Sequence, residues 1–409
     1  MKTQMSACAA LAVLLLGSIH SHAAIVVPGA TGTDGPLNVA ANANLEINLA
    51  TSGSYDATQW AVVFRYTSVT IGTGATVTFK NHPSGAPVIW LVVGDVTING
   101  TVKLDGANSS TAPARAEPGP GGFAGGMNQL PSIAASSGFG PGGGAPYYSG
   151  SYGTKATHSS ARETYGNASL VPLIGGSGGG PFFGGDVGAY GGGAGGGSIL
   201  MAASGIITIN GSITAKGGNT AGYSGGGSGG GIRLVAAEIA GTGSVLASGG
   251  NGHYDSSGAG RIRFERVTNS IPNVGNQVAP APSVLDITSG STALIFPPSG
   301  SPTAKVLTVG GQAVADPPAG SFGNVPADVK LPQSALGAGN TTVVVIETDN
   351  VSDTSDVFLL AQPRAAFTGT MQYTAARDAA YVHATKDRWN VTVPVAVGYA
   401  ALQARVVRR

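Results

Sequence analysis

Thr208–Asn219 has the sequence TINGSITAKGGN, one of three versions of a single pattern in this chain. The other two are TINGTVKLDGAN at Thr97–Asn108 and AGTGSVLASGGN at Ala240–Asn251. In each version a glycine precedes a short alternating strand, and a turn rich in glycine or alanine ends on asparagine. One such unit cannot bury its own apolar face, so repeated units stack on one another. The repeats therefore predict a solenoid of β-coils.

The alternation within the repeats predicts which residues lie above one another. A strand with one apolar face is half-buried, and its side chains alternate between the two faces. The predicted inner column contains Val77, Val102, Ile213 and Val245. The predicted outer column contains Lys80, Asp105, Lys216 and Ser248. We expect Ile262 and Phe264 to provide the last rung of the same stack.

The N-terminus predicts export. Lys2, an apolar run at Ala9–Gly17 and the small residues that end at Ala23 together resemble a secretory signal peptide covering residues 1–24. The apolar run is too short to span a bilayer, so we expect no transmembrane segment. Cleavage also removes Cys8, the one cysteine of the chain. We therefore expect a secreted or cell-surface protein without disulfides.

The low charge of the chain excludes some partners. Lys and Arg number 21 and Asp and Glu 20, and charged residues make up 10% of the sequence, where about 25% is usual. The sequence shows no basic stripe that would follow a phosphate backbone, so we expect no nucleic acid as partner.

Three regions follow from composition. We predict a glycine-rich parallel β-helix domain at 25–270, with an insertion at about 109–194, and a β-sandwich domain at 284–409. The fold class is thus expected to be all-β, with a right-handed parallel β-helix and a small β-sandwich. Within the insertion, glycine runs alternate with bulky aromatic residues, which favours an ordered or semi-ordered flap, anchored on the β-helix by its aromatics, over a free linker. Side-by-side packing of the glycine runs as extended threefold helices is a second arrangement that the composition allows.

The repeats also resemble a known group of proteins. The segments GGGAGGGSILMAASGIITINGSITAKGGN, GGGSGGGIRLVAAEIAGTGSVLASGGN and GAGRIRFE resemble glycine-rich parallel β-helix proteins secreted by bacteria, which are often adhesin-like. The resemblance covers about Val62 to Arg266 and implies an architecture, with no catalytic residue to transfer. The C-terminal part resembles immunoglobulin-like β-sandwiches, because of the number and spacing of its strands.

Several motif matches lack the context that their chemistry requires. Gly175–Gly179, Gly222–Gly226 and Gly226–Gly230 match G-x-S-x-G, which needs a strand–turn–helix arrangement that the sequence does not predict. The turn Gly249–Asp255 has its carboxylate one residue late for a repeating calcium turn, and the acidic loop at Asp349–Asp356 lacks the glycine and glutamate of an EF-hand. We therefore expect no metal and no cofactor.

We predict a non-catalytic structural or cell-surface protein, either a matrix or filament subunit or an adhesin. Its partners would be copies of itself or surface glycans. The candidate contact residues are the aromatics Tyr147, Tyr148, Tyr152, Phe182, Phe183 and Tyr190.

Two alternatives stay open. One is a carbohydrate-binding module that uses those tyrosines as stacking platforms. The other is a β-helix polysaccharide lyase or glycoside hydrolase, which needs paired carboxylates or a carboxylate with a basic proton acceptor. The candidate groups for it are Asp95, Asp105, Glu238, Asp255, Lys103, Lys216, Arg233 and Arg261. Apart from the alternating column with Asp105 and Lys216, whose charges we expect to neutralise one another, the sequence places no cluster of these on one face, so we expect no catalytic set.

Overall fold

The structure is a computed structural model of the chain. It describes residues 24–109, 115–127, 137–159, 161–182, 190–220, 222–267, 277–316, 318, 327–363, 371–395 and 400–407. The expected signal peptide lies outside these residues except for Ala24, and so does Phe183. β-Strands dominate the described residues, which confirms the all-β class; a short 3-10 turn spans Gln333–Ala335.

The strands up to residue 287 are β1 Leu37–Val39, β2 Asn44–Asn48, β3 Ser54–Asp56, β4 Ala61–Tyr66, β5 Val69–Ile71, β6 Thr76–Lys80, β7 Val88–Val92, β8 Val96–Ile98, β9 Thr101–Lys103, β10 Ser198–Ala203, β11 Ile206–Ile209, β12 Ser212–Thr214, β13 Gly231–Val235, β14 Glu238–Ala240, β15 Ser244–Leu246, β16 Arg261–Val267, β17 Gln277–Ala279 and β18 Ser283–Ile287. They form three sheets. Sheet 1 has the order β1-β5-β8-β11-β14, sheet 2 the order β3-β4-β7-β10-β13-β16-β18, and sheet 3 the order β2-β6-β9-β12-β15-β17. The strands pair in parallel, except that β3 and β4 are antiparallel. From β4 to β15 the chain visits sheet 2, sheet 1 and sheet 3 in turn, so each circuit pairs with the one before.

The predicted inner column is confirmed in sheet 3. Val102 pairs with Val77 on one side and with Ile213 on the other, and Ile213 pairs in turn with Val245. All four side chains are fully buried in one apolar core between the sheets. The alternation of the repeats therefore predicted correctly both which residues pair and which face of the strands is buried.

The expected last rung was wrong. Ile262 and Phe264 lie on β16 in sheet 2, where they pair with Ile232 and Leu234. The strand that continues the sheet 3 column is β17, in which Val278 pairs with Val245. The preceding residues explain the difference, because the strands that directly follow a glycine run, such as β10 and β13, all belong to sheet 2.

The central strands of sheet 2 are buried on both faces. These strands, β7, β10 and β13, are apolar almost throughout, as expected when neither face meets water. The second face lies in a separate core with residues from the N-terminal segment, the insertion and residues 293–295. The N-terminal segment joins its own chain there, since Val26 forms a parallel bridge with Thr292 and Ile25 is buried.

A buried ion pair stabilises the contact between the second face of sheet 2 and the segment that contains Leu294. Arg233 on β13 donates from Nε to Oε1 of Glu265 on β16 at 3.0 Å, and its guanidinium also donates to the carbonyl of Leu294. The side chains are 1% and 5% exposed. Arg263 also donates to Glu265, so a single carboxylate serves two guanidinium groups.

The glycine-rich stretches form a bundle of extended segments. In segment 192–197 successive amides donate to three neighbouring segments in turn, and the pattern repeats every three residues. Gly192 and Gly195 donate to segment 119–126, Gly193 and Gly196 to segment 225–230, and Ala194 and Gly197 to segment 104–108. This rotation is that of an extended helix with three residues per turn. We call these four segments, together with 138–144 and 175–180, the glycine bundle.

The glycine bundle requires glycine because its backbones touch. A Cβ atom on Gly195 would lie 1.9 Å from the carbonyl oxygen of Gly176, and one on Gly192 would lie 1.9 Å from that of Gly179. No side chain fits at such a separation. The described segments of the insertion that belong to the glycine bundle therefore pack as extended, hydrogen-bonded backbone.

The remaining strands are β19 Thr303–Val309, β20 Gln312–Ala313, β21 Thr341–Asp349, β22 Asp356–Pro363, β23 Met371–Thr374, β24 Ala376–Arg377, β25 Lys386–Pro394 and β26 Ala400–Val407. They form two antiparallel sheets, β20-β19-β21-β25-β24 and β23-β22-β26. Both sheets contribute to one apolar core that includes Ile346, Leu359 and Trp389, as in a β-sandwich. The expected start of this domain at residue 284 falls inside β18, which pairs with β16.

Candidate functional site

Five aromatic rings meet in loops that join segments of the glycine bundle. We call Tyr147, Phe182, Tyr223, His253 and Tyr254 the aromatic cluster. The ring centroids lie 5.6 Å apart for Tyr147 and Phe182, 5.1 Å for Phe182 and Tyr223, and 4.4 Å for Tyr223 and His253. Tyr254 lies 4.6 Å from His253 and stacks on Tyr223 at 6.2 Å. Tyr223 is 40% exposed and Tyr254 54%, so the cluster presents ring faces to solvent.

Backbone contacts hold the loops of the aromatic cluster in place. The amide of Tyr147 donates to the carbonyl of Pro181 at 2.8 Å, and the amide of His253 donates to that of Ser224 at 3.2 Å. Tyr147 has a φ of 73°, in the left-handed region that bulky residues rarely adopt. Backbone strain of this kind concentrates at functional sites, where the surroundings impose it.

The carboxylate of Asp255 braces the loop beside the cluster. It accepts hydrogen bonds from the hydroxyl of Ser149 at 2.6 Å and from the amide of the same residue. The Ser149 hydroxyl in turn accepts from the amide of Gly226 at 3.0 Å. These hydrogen bonds connect the turn that contains Tyr254 to the glycine bundle and hold its exposed ring in position.

The structure distributes the six predicted contact residues unevenly. Tyr147 and Phe182 belong to the aromatic cluster. The ring of Tyr190 contacts Gly222, next to Tyr223, and is half-buried. Tyr148 stacks on His158 with centroids 3.8 Å apart. Phe183 lies outside the described residues.

Tyr152 is placed in the second core of sheet 2 and is fully buried. Its hydroxyl donates to the carbonyl of Ile174 at 2.8 Å, and the guanidinium of Arg261 lies 5.5 Å from its ring centroid. Burial raises the pKa of Tyr152 above its ordinary value, so the hydroxyl stays neutral. In this position Tyr152 supports the fold and does not reach a ligand.

Sequence reasoning missed Tyr223, His253 and Tyr254. The available signal was the repeat itself, because both turns that follow Gly-Gly-Asn, at Asn219 and Asn251, contain a tyrosine three or four positions later. The two turns share this aromatic residue, whereas they share no calcium ligand.

A cleft on sheet 3 brings together several charged residues. It has a volume of about 760 Å³ and is lined by Lys80, Lys103, Asp105, Glu117 and Lys216 among others. We call it the lysine cleft. Asp105 accepts a hydrogen bond from the amide of Lys216 at 2.7 Å, so these two members of the predicted outer column are neighbours. Glu117 joins them from the insertion.

Three other candidate catalytic groups make separate structural contacts. Asp95 accepts from the amide of Ile206, Asp255 from Ser149, and Arg233 belongs to the buried ion pair. Ser177 and Ser228, the central serines of two G-x-S-x-G matches, are fully buried and hydrogen-bonded within the glycine bundle.

The described residues contain no group of three or more His, Cys, Asp or Glu side chains placed to hold a metal ion. Within the same residues, no helix has both the length and the apolar character needed to cross a bilayer. Comparison with family models, with curated proteins and with solved structures gave no match.

Proposed function

We propose that this chain is a secreted, non-catalytic cell-surface protein of the adhesin type. In this proposal the three parallel sheets wind as a right-handed β-helix, an immunoglobulin-like sandwich follows, and the aromatic cluster contacts the partner. The expected division into 1–24, 25–270 and 284–409 belongs to the same proposal. The partner we favour is a surface glycan.

The exposed aromatic cluster carries the proposal. Aromatic rings left in contact with water at such density mark an interaction surface more often than a part of the fold. Their flat faces suit the C–H side of a sugar ring, and the hydroxyls of Tyr223 and Tyr254 provide hydrogen bonds at the edge. The glycine bundle supports this function because a rigid base loses little entropy when a ligand binds.

The arrangement of the reactive groups supports a non-catalytic role. Acid–base chemistry on a glycan needs carboxylates that share one site. Asp95 and Asp255 instead accept hydrogen bonds from distant parts of the backbone and fix loops. The lysine cleft does contain both Asp105 and Glu117. Binding experiments with glycans should therefore also measure the release of new reducing ends.

Glycan binding by the aromatic cluster is tested with an immobilised glycan panel. We expect the secreted chain to bind a subset of glycans and a Tyr223→Ala/Tyr254→Ala variant to lose at least about tenfold in affinity, because each truncated hot-spot ring costs more than about 1 kcal/mol. Tyr55→Ala is the matched control, since Tyr55 is also exposed and stacks on a histidine, His82, outside the cluster. Equal binding by the double variant would contradict the proposal, and so would release of new reducing ends.

A filament subunit is the second candidate, and the outer strand of sheet 2 favours it. Within the described part of the chain β18 pairs only with β16, and Val284 and Leu285 on it are each 43% exposed. An unpaired edge with apolar side chains is a template for pairing with another copy. Electron microscopy of native secretions distinguishes the two: ordered fibres favour the filament, and separate particles leave the adhesin.

A further inference from the structure

We infer that the lysine cleft binds an anionic polysaccharide, one whose sugars carry carboxylate or sulfate groups. This inference is independent of the aromatic cluster and goes beyond the function proposed above. It rests on three features of the cleft: an excess of ammonium groups, a floor of bare backbone, and polar side chains with hydrogen-bonding capacity to spare.

The ammonium groups follow the stacking of the coils. Because Val77 pairs with Val102 and Lys103 pairs with Thr214, the same register, continued past the ends of β9 and β12, places Lys80, Asp105 and Lys216 side by side on successive coils. Neighbouring coils lie about 4.8 Å apart. Lys103 lies two residues before Asp105 and so points to the same face. Lys80 and Lys216 thus lie on the two sides of Asp105, and Lys103 lies next to them.

The three lysines are available to a ligand. Among the described residues none of them forms an ion pair, whereas lysines elsewhere do so, such as Lys155 with Glu163 and Lys386 with Glu347. Lys80 and Lys103 are exposed and Lys216 is half-buried. The cleft also contains the carboxylates of Asp105 and Glu117, so three ammonium groups stand against two carboxylates and its net charge is positive. A concave site with an excess of positive charge attracts anions, and the attraction is screened by salt.

The floor of the cleft is backbone. Gly106, Gly217 and Gly249 line it, and a Cβ atom on Gly106 or Gly217 would point away from the cleft into the glycine bundle, 2.3 Å from Ala194 O or 1.9 Å from Gly227 O. The floor therefore has no side chains that would obstruct a chain of sugar rings. Phe79 adds an apolar surface at one side.

Polar side chains around the floor suit sugar hydroxyls. Asn108 and Asn219 line the cleft and use their Oδ1 atoms on the amides of Asn219 and Asn251, each at 2.9 Å. Their side-chain NH₂ groups make no hydrogen bond to the described protein and are free to donate. Asp105 uses only Oδ1 on the amide of Lys216, so its Oδ2 can accept from a hydroxyl. The lysines can bind the anionic groups of an acidic sugar, and the asparagine amides and the Asp105 carboxylate can bind its hydroxyls. An inorganic anion would use only the lysines, so an acidic sugar fits the cleft better.

The test uses short oligogalacturonate, its full methyl ester and a sulfated galactan oligosaccharide, measured by calorimetry with the complete secreted chain. The methyl ester keeps the sugar rings and removes the charge. We expect oligogalacturonate, the sulfated sugar or both to bind, with affinity that falls as salt is raised, and the ester not to bind. Binding of only one charged sugar identifies which anionic group the cleft takes. Equal binding of ester and acid, or binding of neither charged sugar at low salt, would overturn the inference.

Variants locate the site. Lys80→Gln/Lys103→Gln/Lys216→Gln should weaken binding about tenfold, because each exposed ion pair contributes about two- to fivefold. Lys305→Gln is the control, an exposed lysine on β19 whose loss leaves affinity unchanged. An equal loss of affinity in the triple variant and in Lys305→Gln would show nonspecific attraction and would contradict binding at the lysine cleft. Tyr223→Ala/Tyr254→Ala should keep binding, which separates this site from the aromatic cluster. Cleavage of the sugar would contradict only the non-catalytic proposal.

Discussion

The apolar core between the three parallel sheets, which includes Val77, Val102, Ile213 and Val245 and which we call the coil core, and the glycine bundle are packed by opposite means. In the coil core, side chains such as Ile213 and Val245 fill the space between three sheets and remove apolar surface from water. In the glycine bundle there are almost no side chains to bury, and neighbouring backbones approach until their peptide groups bond in three directions. Burial contributes about 25 cal/mol per Å² of apolar area, whereas the bundle depends on hydrogen bonds and close contact. The two regions should therefore respond differently to mutation.

Adding atoms should damage the bundle most. Gly195→Val places carbon where the oxygen of Gly176 already lies, 1.9 Å from the new Cβ. We expect a loss of about 4 kcal/mol or more in the free energy of unfolding. Gly300→Val is the control, since nothing lies within 4 Å of Gly300, and its left-handed φ of 77° should cost about 1–2 kcal/mol. Chemical denaturation measures both, and equal losses would show that close packing does not govern the bundle.

Removing atoms should damage the coil core. Ile213→Ala leaves a cavity in the column with Val102 and Val245, and we expect a loss of about 2–5 kcal/mol. Leu246→Ala, one residue beyond Val245 on the half-buried outer face, should cost less than about 1.5 kcal/mol. If both variants lost the same stability, the inner column would not be the dry interior described above.

Alkaline pH should weaken the contact between the bundle and sheet 2. Burial raises the pKa of Tyr165, whose hydroxyl donates to the carbonyl of Gly175 at 2.7 Å. Below pH 10 the group is neutral in both states; above it only the unfolded chain ionises, so stability falls by about 1.4 kcal/mol per pH unit for each such tyrosine. Tyr165→Phe should lose about 2 kcal/mol at pH 7 through the missing hydrogen bonds. It should also show a shallower decline from pH 10 upward.

An unchanged slope in denaturation curves recorded between pH 9 and 11.5 would contradict the role assigned to Tyr165. The absorbance of ionised tyrosine provides a second readout, because Tyr165 should ionise only together with unfolding.

Asn108, Asn219 and Asn251 follow one another on successive coils, and we call them the asparagine ladder. Oδ1 of Asn108 accepts from the amide of Asn219, and Oδ1 of Asn219 accepts from that of Asn251. The smallest loss of stability is expected there. Asn219 accepts from the amide of Asn251 at 2.9 Å near the surface, so Asn219→Ala should cost about 1 kcal/mol. Asn219→Asp keeps the acceptor oxygen and should recover most of that stability. Equal stability of the alanine variant and the parent chain would show that solvent replaces the ladder at no cost.

Local pattern was enough to predict the coil core but not the sites. The spacing of glycine, strand and asparagine placed Val77, Val102, Ile213 and Val245 in one column, because alternation and register are properties of neighbouring residues. Ile262 was misplaced because the sheet to which a strand belongs depends on the segment that precedes it. Glycine runs predicted extended segments, yet not which segments become neighbours.

The sites depend on contacts across long sequence separations. Tyr152 and Tyr147 occupy similar glycine-rich surroundings in the sequence, but Tyr152 covers sheet 2 and Tyr147 joins the exposed cluster. Tyr223 and Tyr254 come from outside the insertion and meet Phe182 only in the folded chain. Glu117 reaches the lysine cleft in the same way. A single sequence has no local signal for contacts between residues that are far apart along the chain.

Amide hydrogen exchange tests the central claim most directly, that the glycine bundle is a hydrogen-bonded structure able to hold the aromatic cluster. With exchange resolved by mass spectrometry or NMR, segments 192–197 and 225–230 should be protected as strongly as β10 and β13, since all their amides are bonded and buried. Exchange in these segments at the rate of an unstructured glycine peptide, with β10 and β13 still protected, would contradict the account.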